Sequence, residues 1–195
     1  MLQRFGLRAA SAALAAVTVL SACGRPTPPK PSPTTAPRLD GAAGVGGAGA
    51  TSAAIPPRCA AGNLAIVARD AGRSGGQHGV VLIFTNAGDG PCRFYGYPGV
   101  AGLDAADKQI TQARRAKSGP LGGLPEDRPI PHIDVAAGQA ASALLEAADG
   151  ACEPFAGLLV TPPDETQSFR IAWPSKGCAD LQVHPIVAGV TGQFH

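Results

Sequence analysis

Residues that could bind a metal are scattered through this chain rather than grouped. The histidines are His78, His132, His184 and His195, and no two of them are two or four positions apart. Such spacings would place two side chains on one face of a strand or a helix. Pairing between strands could still bring His132 and His184 together. We interpret the histidines as surface or hydrogen-bonded side chains, and we predict neither a metal site nor a cofactor.

Catalytic chemistry has no secure motif in this sequence. The letters G-x-S-x-G occur once, at Gly72-Arg73-Ser74-Gly75-Gly76, but this stretch is loop-like and does not have the strand-to-helix context that exposes the serine of α/β-hydrolases,. We therefore predict no catalytic residues and a non-enzymatic protein. The alternative is a hydrolase or another enzyme that acts outside the cytoplasm. A cavity holding Ser or Asp beside His132 or His184 would favour that alternative.

The N-terminus has the layout of a secretory signal. Residues 1–22 carry the basic Arg4 and Arg8 and then an apolar run from Ala9 to Leu20, which is too short to cross a bilayer,. The run ends in L-S-A-C, which resembles the lipobox of bacterial lipoproteins. That resemblance implies that Cys23 becomes the lipidated first residue of the mature protein. The alternative is a soluble secreted protein cleaved nearby.

A linker follows the signal. Residues 23–58 contain R-P-T-P-P-K-P-S-P and then a Gly/Ala-rich stretch, neither of which can bury a core. The proline half favours an extended polyproline-like spacer and the glycine half a flexible coil. We therefore divide the chain into a lipoprotein signal peptide (1–22), a lipidated cysteine with its linker (23–58) and a folded domain (59–195).

Four cysteines remain once Cys23 is assigned to the lipid. An even number in an exported domain indicates two disulfides, for which three connectivities are possible. We favour the two local pairings, and we exclude zinc because the close C-x-x-C spacing is absent. The favoured pairs are Cys59–Cys92 and Cys152–Cys178.

Composition and charge limit the partners of the domain. The whole chain is 45% apolar and 15% charged. Its basic excess lies in the signal and the linker, whereas the chain from Cys59 onward has ten basic and thirteen acidic residues. A domain with this acidic excess is not expected to have the basic surface that binds the phosphates of nucleic acid.

The order of apolar runs and turn residues predicts an all-β domain. Val80 to Thr85 is a continuous apolar run, typical of a central strand with both faces covered,. Gln139 to Ala147 suits either a helix or a strand, and we favour a strand because of its position after a turn. About seven to nine short strands with frequent turns indicate an antiparallel β-sandwich.

Two groups of residues are candidates for a contact surface. Arg114, Arg115 and Lys117 form a basic cluster, which could bind an anionic polymer or headgroup or could simply be a solvated loop,. Tyr95 and Tyr97 could contact a ligand, but we favour packing against the Cys92 disulfide with a hydrogen bond inside the sandwich.

The segment N-A-G-D-G-P-C-R-F-Y-G-Y-P, with the later cysteine pair and V-T-P-P, resembles a family of exported actinobacterial domains. The family is domain of unknown function 4232, which is commonly found on lipoproteins. The resemblance covers about Cys59 to Val187 and implies an immunoglobulin-like β-sandwich in an exported setting. It implies no activity, so no functional residue carries over.

Together these features predict a lipoprotein anchored by Cys23 to the outer face of the cell membrane. Its β-sandwich is expected to bind or scaffold an unidentified envelope protein or polymer.

Replacement of the lipidated cysteine tests the anchor. We expect Cys23→Ala to move the protein from the membrane fraction to the soluble fraction, because two acyl chains are what stable anchoring requires. Ser21→Ala, which keeps a small residue before the cleavage site, should leave the protein in the membrane. Retention of the Cys23→Ala variant in the membrane would contradict the lipobox interpretation.

Overall fold

The computed structural model describes residues 54–195. The signal peptide, Cys23 and most of the linker lie outside the described residues, so the predictions made for them stay predictions.

The described chain is built from short strands and one 3₁₀ turn at Ala61–Asn63. In chain order the strands are β1 Leu64–Ser74, β2 Gln77–Asn86, β3 Cys92–Tyr95, β4 Gly99–Leu103, β5 Gln109–Gln112, β6 Arg114–Arg115, β7 Ser118–Gly119, β8 Gly122–Gly123, β9 His132–Val135, β10 Ala140–Ala148, β11 Gly157–Thr161, β12 Phe169–Ile171, β13 Ala179–Val183 and β14 Val187–Ala188.

These strands form two main sheets and two small ribbons. The larger sheet has the order β1-β2-β10-β13-β6, with β14 also paired to β10, and the smaller sheet has the order β12-β11-β4-β5. β3 pairs with β9 and β7 with β8. Every pair is antiparallel except β13 with β6. The predicted all-β, immunoglobulin-like antiparallel β-sandwich is confirmed, and residues 140–148 form the strand favoured above.

The first hairpin is longer than the sequence indicated. The Gly, Ser and His residues of the stretch 70–79 predict a loop, but most of this stretch continues β1 and begins β2. Gly75 and Gly76 make the two-residue turn with φ of 56° and 77°, a conformation that suits glycine,. The polar residues that suggested a loop are tolerated because β1 is an edge strand with exposed side chains,.

The core is organised around β2, which lies between β1 and β10. Val80, Leu82 and Phe84 face the main core between the sheets. Val81 and Ile83 face the other side, in a second cluster with Leu144 and the partly buried Leu121. The prediction that this strand is covered on both faces is therefore confirmed.

Both disulfides form with the favoured connectivity. Cys59–Cys92 ties the start of the domain to β3, and both of its cysteines are buried. Cys152–Cys178 joins the two loops beyond β10 and β12, and Cys152 is exposed.

This difference in burial predicts the order of reduction. At limiting reductant, we expect alkylation of Cys152 and Cys178 before Cys59 and Cys92, because thiol–disulfide exchange requires access to a sulfur atom. Peptide mass mapping after timed quenching would measure the order. Earlier or simultaneous labelling of Cys59 would contradict it.

Candidate functional site

The ribbon of β3 and β9 separates a buried face from an exposed face. Side chains alternate along each strand, so Phe94 and Ile133 turn towards the core while their neighbours turn outward. Phe94 packs edge-on against Phe84 of β2, with 5.7 Å between ring centroids. The inward-facing side chains therefore fix the ribbon to the core, and the outward face of the ribbon stays free for contacts.

The outward face carries two cross-strand pairs in register. Tyr95 lies opposite His132 and their rings stack with 4.4 Å between centroids, although Tyr95 is 47% exposed. Arg93 lies opposite Asp134 and donates two hydrogen bonds to its carboxylate, at 2.5 and 2.8 Å. These bonds lower the pKa of Asp134 and raise that of Arg93. The salt bridge fixes the ribbon beside the exposed ring pair.

Tyr97 lies two residues after Tyr95, beyond the end of β3. Gly96 between the two tyrosines has φ of 89°, which a residue with a side chain rarely adopts,. Tyr97 is half-buried, and the Arg115 guanidinium carbon lies 5.8 Å from its ring centroid. Burial raises the pKa of Tyr97, and Glu126 adds to this while Arg115 opposes it.

The expected interior role of the tyrosines is not seen. Within residues 54–195, neither tyrosine hydroxyl makes a hydrogen bond. We call the outward group the tyrosine surface, and it consists of Tyr95, Tyr97, Arg115 and His132.

The three basic residues of the candidate contact surface do not act together. Arg114 and Arg115 are both exposed on β6, but consecutive strand residues point to opposite faces,. Lys117 is half-buried, and its ammonium group donates a hydrogen bond to the Glu126 carbonyl oxygen. Of these three residues, only Arg115 lies over a tyrosine ring, that of Tyr97.

The histidines that strand pairing might have brought together lie in different environments. His132 stacks on the surface, whereas His184 is fully buried against Glu146, with 3.2 Å between Nε2 and Oε1. Glu146 was not among the predicted site residues. Its only signal in the sequence is a single acidic residue inside the apolar strand A-S-A-L-L-E-A-A.

A polar cluster at the end of the β1–β2 hairpin was also missed. His78 is 5% exposed, and its Nε2 lies 2.7 Å from Oδ1 of Asp149, whose other oxygen accepts a hydrogen bond from Arg73. Arg73 and His78 are register partners across the hairpin. The Gly75-Gly76 turn was therefore the signal that would have placed them together.

An open cavity of about 570 Å³ adjoins this cluster and is lined by Arg73, His78, Ser175 and Lys176 among others. The buried Ser175 hydroxyl makes no hydrogen bond with any described residue. The hydrogen bond between nucleophile and base that marks an activated serine is thus not formed between Ser175 and His78.

Two further findings concern the described residues. Within residues 54–195, no three or more His, Cys, Asp or Glu side chains are grouped so that they could hold a metal ion. No helix in the same range is long and apolar enough to cross a membrane.

Fold and surface together define an all-β domain with two disulfides and a solvent-facing aromatic strip. The chain belongs to the family described as "Domain of unknown function (DUF4232)", whose model matches residues 59–188. The resemblance found in the sequence is thereby confirmed for the domain. No curated protein and no solved structure matches the chain.

The contact between His78 and Asp149 predicts how the stability of the folded protein changes at acid pH. The hydrogen bond from His78, followed by the charge and hydrogen bond of Arg73, lowers the pKa of Asp149 from its ordinary 3.8. Because the folded-state pKa is depressed, this contribution to stability is present above about pH 3.9 and is lost as pH falls through the folded value.

Carboxyl chemical shifts measured against pH would test this. We expect His78→Leu, which removes the hydrogen-bonding ring, to raise the pKa of Asp149 towards 3.8. Asp134, whose pKa is lowered by Arg93 instead, is the internal control and should not move. An unchanged Asp149 titration in the variant would show that His78 is not the main cause.

Proposed function

We propose that this protein is a lipid-anchored lipoprotein of the cell envelope whose domain binds a partner without catalysing a reaction. The L-S-A-C sequence supports the anchor at Cys23, on the extracytoplasmic face of the membrane,. Membership of the DUF4232 family supports the folded domain that the anchor would carry.

The tyrosine surface is the binding site in this proposal. The observation that carries it is Tyr95, which is 47% exposed although it is a large aromatic residue on a rigid strand. Tyrosine offers a large contact area at a low cost in side-chain entropy, and tyrosine and arginine are enriched where binding energy is concentrated. Arg115 beside Tyr97 adds a cation to this surface.

The rigidity of the ribbon supports the same conclusion. Arg93 and Asp134 clamp the two strands beside the ring pair, and the buried Cys59–Cys92 disulfide holds the start of β3. A surface that is fixed before it meets its partner loses little conformational freedom on binding. The partner in this proposal is an envelope protein or polymer.

Photocrosslinking in the organism's own envelope would test the site. With p-benzoylphenylalanine introduced at Tyr95 of the full chain, we expect a discrete crosslinked adduct. The matched control is Val67, which has the same 47% exposure but lies on β1. The adduct should form from position 95 and not from position 67.

A second substitution makes the result specific. Arg115→Ala should weaken the adduct formed from position 95, because Arg115 belongs to the same surface. Lys117→Ala, whose side chain bonds to the Glu126 carbonyl instead, should leave it unchanged. Equal adducts from positions 95 and 67, or none from position 95, would contradict the proposed binding site.

A further inference from the structure

Glu146 and His184 form a fully buried pair on the outer side of the larger sheet. Both residues are 0% exposed. A carboxylate and an imidazole are costly to bury unless each polar atom finds a partner. The contacts of the pair therefore indicate which protonation states the folded protein can hold.

The covering segment, residues 116–124, closes over this pair. Oε1 of Glu146 accepts a hydrogen bond from the Leu121 amide at 3.0 Å. A Cβ atom at Gly119 would lie 2.4 Å from the same oxygen, and one at Gly123 would lie 2.9 Å from the His184 ring. Only glycine permits so close an approach, so the segment is fitted to the pair.

The hydrogen-bond geometry requires a proton within the pair. Nδ1 of His184 lies 3.0 Å from the Ala116 carbonyl oxygen, which can only accept, so Nδ1 carries a hydrogen,. A neutral ring would then turn the lone pair of Nε2 towards Oε1 of Glu146, 3.2 Å away. That contact is attractive only if a further proton lies on Nε2 or on the carboxyl group.

We propose that Glu146 and His184 share one proton, and that this proton latches the covering segment onto the sheet. The latch acts at two points, because His184 holds the Ala116 carbonyl and Glu146 holds the Leu121 amide. Without the proton, a buried carboxylate oxygen would lie 3.2 Å from an imidazole lone pair, which is too close for a water molecule between them,.

Other charged groups around the pair are occupied elsewhere. On the covering segment, Lys117 bonds to the Glu126 carbonyl, and the Glu126 carboxylate accepts from Ser118. On β6, Arg114 is exposed and in register with Gln182, and Arg115 lies over the Tyr97 ring. Among the described residues, no further charged side chain forms an ion pair with Glu146 or His184.

Uncharged neighbours complete the surroundings. β2 presents Gly79 in register with Glu146, β13 presents Gln182 in register with it, and the C-terminal tail contributes Gln193, which donates to the Leu121 carbonyl. The second carboxyl oxygen, Oε2 of Glu146, is buried and makes no hydrogen bond with any residue from 54 to 195. Burying a fully ionised carboxylate at this position costs more free energy than burying one that shares a proton with His184.

The direction of the pH effect follows from counting protons. In water an imidazole releases its proton near about pH 6.5 and a glutamate near about pH 4.3. Between these values the open pair also holds one proton, so closure does not depend on pH. Above about pH 6.5 the open pair holds none, and closure weakens by up to about tenfold per pH unit.

Amide hydrogen exchange of the purified protein would measure closure. The reporters are Leu121, which donates to Glu146, and Ala116, which donates to the Val183 carbonyl of β13. Their protection factors, corrected for intrinsic exchange, should be constant from about pH 5 to 6 and fall above about pH 6.5. Leu82 in the centre of β2 is the internal reference and should not follow them.

Two variants separate the latch from a general effect of pH. Glu146→Gln cannot hold the shared proton, so it should lower Leu121 protection and abolish its pH dependence. Glu126→Gln removes a carboxylate that bonds to the same segment from outside, so it should keep the pH dependence. An equal slope in Glu146→Gln and the unmodified protein would overturn the proposal.

A direct readout keeps the proposal testable if Glu146→Gln fails to fold. At pH 6, imidazole nitrogen and carboxyl carbon shifts of the unmodified protein should show a proton on Nε2 of His184 or on Glu146. An unprotonated Nε2 beside an ionised Glu146 would overturn it. Neither readout depends on the tyrosine surface, so the proposed binding function can fail while the latch stands.

Discussion

The structure depends on one constraint, which is that β2 is apolar on both faces and its neighbour β10 is buried on both faces. Val80, Leu82 and Phe84 require cover on the inner side, and Val81 and Ile83 require it on the outer side. A sandwich supplies only the inner cover. The outer face must therefore be closed by chain outside the two main sheets, and this requirement explains the path of the rest of the domain.

Two segments supply the outer cover, and both approach the sheet more closely than side chains would allow. The covering segment reaches Glu146 because Gly119 has no Cβ atom. The C-terminal tail follows the same rule: the Gly192 amide donates to the hydroxyl of buried Ser142, and a Cβ atom there would lie 3.1 Å from Leu144. Ser142 and Glu146 are thus the polar groups on β10 that satisfy the backbone of its cover.

Much of the fold was predictable from the sequence because its causes are local. Alternating apolar residues and turn residues located most strands. The even number of cysteines and the short separation within each pair were enough to choose Cys59–Cys92 and Cys152–Cys178. The extension of β1 was missed because its polar residues gave no hydrophobic signal, although Gly75-Gly76 was a hairpin turn. The His184–Glu146 contact joins residues 38 positions apart, so no local pattern predicts it.

The same reasoning limits what could be said of the binding site. Sequence proximity grouped Arg114, Arg115 and Lys117, but strand geometry separates them, and of the three only Arg115 lies over the Tyr97 ring. Tyr95 and Tyr97 were candidates for a contact surface, with packing against the Cys92 disulfide as the favoured alternative. Tyr95 is exposed, and Phe94 is the aromatic residue of this segment that lies in the core cluster with Cys92.

Once Phe94 occupies the inner face of β3, alternation forces its neighbour Tyr95 outward, where His132 is the register partner,. The exposure of Tyr95 is therefore a consequence of the fold, but the identity of the residue is not, because a small polar side chain would satisfy an outward strand position equally well.

Arg115 is placed over Tyr97 by β6, and the next residue, Ala116, is held by buried His184. Arg115 of the tyrosine surface and the covering segment thus lie on one continuous stretch of chain, and whatever secures that segment also positions the cation of the proposed binding site.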